Sequence, residues 1–149
     1  MRREFTEADK KREAFSRIAN VLYSHWRVSN PGEKVSLQCG GHTRLFDVLI
    51  PDAYITVGES VNGKGHREHV VPCALIRSES YGMFNDGYLI EDIAKMIEQN
   101  LKIVHITKEE RHKLDVELAL KITMPEGWSF EQNRPFARLD TAKIGYKLY

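Results

Sequence analysis

The chain has 149 residues, 42% of them hydrophobic and 29% charged, a length and balance suited to one soluble domain with its own core. Lysine and arginine number 22 against 21 aspartates and glutamates, which excludes wrapping of nucleic acid by bulk charge but leaves room for a local basic patch. No apolar run reaches the roughly 20 residues that span a bilayer. The charged stretch from Met1 to Glu13 lacks the apolar core of a signal peptide, and two cysteines, Cys39 and Cys73, are too few for a disulfide scaffold. These features predict a cytoplasmic protein with no membrane partner.

In chain order, Thr6 to Trp26 is predicted to be an amphipathic helix, because Phe15, Ile18, Ala19, Leu22 and Trp26 share one helical face. Asn30-Pro31-Gly32 ends it. Leu45 to Ile50 and Tyr54 to Val57, short and rich in β-branched and aromatic residues, predict strands. Asn62-Gly63-Lys64-Gly65 is a turn, His66 to Val71 the next strand, closed by Pro72, and Tyr88 to Gln99 a helix with Leu89, Ile93, Met96 and Ile97 on one side. Leu101 to Ile106 is a further strand. Thr107-Lys108-Glu109-Glu110 matches a capping box and opens a helix expected to run to about Lys121, with Leu114, Leu118 and Ile122 facing the core. The aromatic and basic tail from Glu126 to Tyr149 is expected to be ordered. No repeat or linker divides the chain, so residues 1–149 are expected to form a single α+β domain.

Three short elements in this order carry chemistry: Glu68-His69-Val70-Val71-Pro72 at a strand end, Asn100-Leu101 opening the next strand, and His112 on the capped helix. They resemble the ββα-metal module of the HNH (His-Me finger) nuclease family over about residues 65–115, roughly a third of the chain. In this chain an extra helix, about 88–99, falls between the two strands, and the paired CxxC knuckles of many relatives are missing. The resemblance implies a metal-dependent endonuclease that hydrolyses phosphodiester bonds, of DNA rather than RNA, of the kind carried by phages or mobile elements. His69 would be the general base, since an imidazole titrates near operating pH, and Asn100 would either orient its ring or hold the loop that positions it. Glu68 and His112 would hold one divalent ion, Mg²⁺ or Mn²⁺ by preference and Zn²⁺ as the alternative, that relieves phosphoryl charge. Neighbouring residues of a regular strand face opposite ways, so the resemblance also requires a bend at Glu68-His69. Around this site, Lys64 and Arg67 are placed to contact phosphates. In the tail Arg134 and Arg138 alternate with aromatics, a pattern suited to nucleic-acid contact, although such a tail equally suits aromatics packed on the core.

A second reading uses Cys39-Gly40-Gly41-His42 with His66, His69 and Cys73 as nitrogen and sulfur ligands for a structural zinc ion. That set would make the chain a non-catalytic module binding nucleic acid or protein, a regulator or inhibitor on the same scaffold. A homodimer is compatible with either reading.

Overall fold

A computed structural model describes residues 2–28 and 43–149; Asn30-Pro31-Gly32, Cys39 and His42 lie outside them. The fold is α+β, as the sequence predicts, with helices and one four-stranded sheet. The described residues group into two compact units that alternate along the chain, one drawn from Met1–Tyr54 and Arg77–Glu98, the other from Ile55–Ile76 and Gln99–Tyr149. The crossings fall at helices rather than in Gly- or Pro-rich linkers, so composition gives no sign of them.

The first unit is helical. Helix α1 (Glu7–Val28) is opened by Thr6, whose hydroxyl accepts from the Asp9 N–H at 3.2 Å while the Thr6 N–H donates to the Asp9 carboxylate at 3.1 Å. Those backbone and hydroxyl bonds from Thr6 hold the Asp9 carboxyl below its ordinary range. Phe15, Ile18, Ala19 and Leu22 are buried, as their spacing predicts. Trp26 stacks on Tyr23, with ring centroids 5.8 Å apart, and its indole N–H donates to Asn85 at 2.8 Å.

The predicted strand over Leu45–Ile50 is instead helix α2 (Arg44–Leu49). Only Phe46 and Ile50, four apart, are buried, and Val48 is 76% exposed, so a helical stripe and not a strand face is what packs. The next predicted strand is split, with Asp52–Ile55 forming helix α3 before strand β1 (Thr56–Ser60) begins. Helix α4 (Cys73–Asn85) was not expected. Pro72 starts it rather than merely closing a strand, since its carbonyl accepts from the N–H groups of Leu75 and Ile76 and its missing N–H costs nothing there. Helix α5 (Ile90–Asn100) buries Ile93 and Ile97 but leaves Leu89 outside, where the Leu89 N–H donates to Asp92.

The second unit contains the sheet. Strand β2 (His66–His69) lies at one edge, antiparallel to β3 (Ile103–Ile106). β3 runs parallel to β1, and β4 (Tyr146–Leu148) closes the other edge antiparallel to β1. At Gly58 the β4 backbone comes so close that a Cβ would lie 2.4 Å from the Lys147 carbonyl oxygen. The turn before β2 forms as predicted, with Gly63 at φ +125°.

Helix α6 (Lys108–His112) follows β3 and carries the full capping box between Thr107 and Glu110. It does not continue as an α-helix to Lys121. Lys113–Glu117 form a π-helical turn, and Ala119 in the left-handed region (φ 53°) redirects the chain. Leu114 is therefore buried, whereas Leu118 and Ile122, expected in the core, are exposed. The tail is ordered: a 3-10 turn (Phe130–Gln132), helix α7 (Ala137–Thr141) and β4. Phe136 stacks on Tyr146 with centroids 5.2 Å apart, and Trp128 donates to the Arg134 carbonyl.

Candidate functional site

β2 and β3 pair in unbroken register, His66 opposite Ile106, Arg67 opposite His105, Glu68 opposite Val104 and His69 opposite Ile103. Paired residues share a face and neighbours alternate. His66 and Glu68 therefore lie on one side, Arg67 and His69 on the other, and no bend intervenes within β2. The pairing of Glu68 and His69 that the resemblance requires is not formed here.

Glu68 is 7% exposed. One carboxylate oxygen accepts from the Arg138 guanidinium, and the other is 2.7 Å from His66 Nε2. Arg138, from α7, is 1% exposed and also donates to the carbonyls of His69, Leu120 and Lys121. The expectation that Arg138 contacts nucleic acid is thereby corrected, since its guanidinium is spent inside the protein. One tail cation is drawn inwards because Glu68 and the carbonyls that follow the π-helical turn need a multidentate donor, and Arg supplies a planar fork.

His112, at the end of α6, is 62% exposed, with Nδ1 3.8 Å from Glu117. It lines a groove of about 330 Å³ together with Gly65, His66, Lys108, Arg111, Asp115 and Val116. Arg111 donates to Asp115 at 3.3 Å. The groove thus brings two imidazoles and two permanent cations to one face of the second unit, against one carboxylate that is already paired. Beside it, the carboxylate of Glu110 accepts from Ser60 Oγ at 2.9 Å, Asn62 at 3.3 Å and the Thr107 N–H at 2.9 Å. Burial pushes the Glu110 carboxyl up, but these bonds outweigh it and hold it below the usual glutamate range. The turn before β2 is in this way tied to the start of α6.

The other predicted residues scatter. The His69 Nε2 atom is buried. Asn100 is buried at the end of α5, just before β3. Arg67 sits on the His69 face, Lys64 reaches Glu59 at 3.8 Å, and Arg134 is exposed. His66 was missed as a site residue under the nuclease reading, although its i, i+2 spacing to Glu68 on a predicted strand was the available signal.

As a ligand pair for a divalent ion, Glu68 and His112 do not fit this arrangement, because both oxygens of Glu68 are engaged by Arg138 and His66. Among the described residues no group of three or more His, Cys, Asp or Glu side chains is disposed to hold a metal. The zinc set is also divided, with His66 and His69 on opposite strand faces and Cys39 and His42 outside the described residues. No helix among them is long and apolar enough to cross a membrane. Comparison with family models, curated proteins and solved structures gives no match to this chain.

Proposed function

We propose that the second unit cleaves phosphodiester bonds of nucleic acid, as an endonuclease acting on DNA in preference to RNA. The observation that carries this reading is the groove of His66, Lys108, Arg111 and His112, set on an antiparallel strand pair followed by a helix. Cleavage of a phosphodiester needs cations against the phosphoryl oxygens and a hydrogen-bonding group for the attacking water. Lys108 and Arg111 supply the first; the histidines supply the second. Asn100, buried three residues before the β3 end that pairs with His69, is not among the residues that line the groove. A cytoplasmic setting, and pairing of two copies to cut both strands, belong to the same proposal.

Supercoiled plasmid incubated with Mg²⁺, Mn²⁺, Zn²⁺ or EDTA tests it. Nicking by the wild type that Lys108→Ala with Arg111→Ala abolishes is the expected result. A folded wild type that nicks neither plasmid nor structured RNA with any of these ions would sink the reading. The alternative is a module that binds nucleic acid or protein without cutting. It is favoured by the mutual satisfaction of Glu68 and Arg138, which gives the carboxylate a structural task.

A further inference from the structure

We propose that the histidine of β2 that reaches the bound phosphodiester group, through a water, is His66, presented to the groove by the buried chain Arg138–Glu68, and that His69 does not reach it. The inference takes its ligand class from the nuclease reading above, while the assignment of His66 rests on geometry alone.

Arg138 is the anchor. Four acceptors, the Glu68 carboxylate and the carbonyls of His69, Leu120 and Lys121, surround its guanidinium in the interior. A cation held by partners from two separate segments does not wander, so the carboxylate it holds is fixed as well. Glu68 in turn fixes the ring of His66 through the 2.7 Å contact to Nε2. Beside a carboxylate acceptor, the neutral imidazole carries its proton on Nε2 and donates it to Glu68, which leaves Nδ1 as an acceptor. An acceptor on the wall of a groove that also holds Lys108 and Arg111 suits a water hydrogen-bonded between the ring and a phosphoryl oxygen. His66 is partly exposed, at 26%, and so is reachable from that groove. His69 points to the opposite face of β2 with its Nε2 buried, and its share in the arrangement is its backbone carbonyl, bound by Arg138. Glu68 and Arg138 are thus positioning residues.

The test is long-range ¹H–¹⁵N spectroscopy of the imidazole rings as a thymidine tetranucleotide is added in EDTA, where no metal-dependent cleavage runs. Saturable shifts at His66 and His112, with His25, His69 and His105 unmoved, are expected, as is an Nε2–H tautomer for His66. His66→Gln should weaken tetranucleotide binding about tenfold, the loss of one well-placed polar contact. Glu68→Gln, which keeps the shape, should change the tautomer balance of His66, and Arg138→Lys should restore less of the wild-type ring spectrum than of the melting temperature. Shifts at His69 with His66 still, no ring shift at millimolar probe, or an unaltered His66 spectrum in Glu68→Gln would each overturn the assignment. Plasmid nicking that survives His66→Ala and is lost in His69→Ala would overturn it while leaving the nuclease reading intact. Ring shifts at His66 without nicking of any substrate would do the reverse.

Discussion

Arg138 and Glu68, 70 positions apart in sequence, form a buried ion pair that fastens α7 to the strand bearing His66 and His69. Burying two charges is costly, and hydrogen bonds must offset it; here the two terminal nitrogens of the guanidinium also donate to three carbonyls, while its buried Nε is left without a partner. Removing one partner leaves the other buried and uncompensated. Arg138→Met is expected to lower unfolding stability by about 3–5 kcal/mol. Adding Glu68→Gln to it should recover part of that loss, read as non-additivity in urea unfolding of the two single variants and the double variant.

Glu110 predicts acid sensitivity. Its carboxyl is held below the ordinary glutamate range in the folded protein, so its contribution to stability is present above about pH 4.5 and fades as pH falls through the lowered value. Glu110→Gln should cost about 1 kcal/mol at pH 7, the scale of one capping interaction. The gap between wild type and variant should close as unfolding is measured at successively lower pH below 4.5; a gap that stays constant down to pH 3 would contradict this.

The β1–β4 approach predicts intolerance at Gly58. A methyl group there meets backbone, the Lys147 carbonyl, which has no flexible end to swing aside. Gly58→Ala is expected to destabilise by about 1–3 kcal/mol, as overpacking does. Amide exchange should rise first along Tyr146–Leu148, and unchanged protection there would argue against so close a strand contact.

Tyr146 should titrate late. Burial, then its hydrogen bond to Asp140 at 3.1 Å, pushes the phenol up to about 12. The raised value means that the fold favours the neutral phenol, so this stabilisation is intact below about pH 10 and is lost as pH rises towards 12. Absorbance titration at high pH should show one fewer late-ionising tyrosine in Tyr146→Phe than in the wild type.

Helix α1, the Thr107 capping box and the separate strands β2 and β3 could be read from the chain because each is set by local rules of spacing or capping. Leu45–Ile50 misled because a short apolar run fits either period, and only burial of Phe46 and Ile50 decides between them. Pro72 looked like a terminator since a proline ends strands and starts helices alike. The candidate site was half visible. Glu68 and His112 stood out by type and order, but the Arg138 that captures Glu68 comes from a distant segment, and no local pattern announces a partner 70 residues away. His66 does not stand out in the sequence because the pattern rests on the adjacent pair Glu68-His69, while strand alternation couples residues two apart.

β1 lies inside the sheet, yet both of its partners are made late: β3 begins at Ile103 and β4 at Tyr146, close to the last residue described. During synthesis β1 therefore leaves the ribosome with both hydrogen-bonding edges bare, one until β3 has emerged and the other until β4 has. A strand in that condition is an open template for another chain. Brevity, with Gly58 in the middle and Glu59 beside it, is the protection β1 carries in the interval, so the residues that admit β4 so closely in the finished protein also guard the unfinished one.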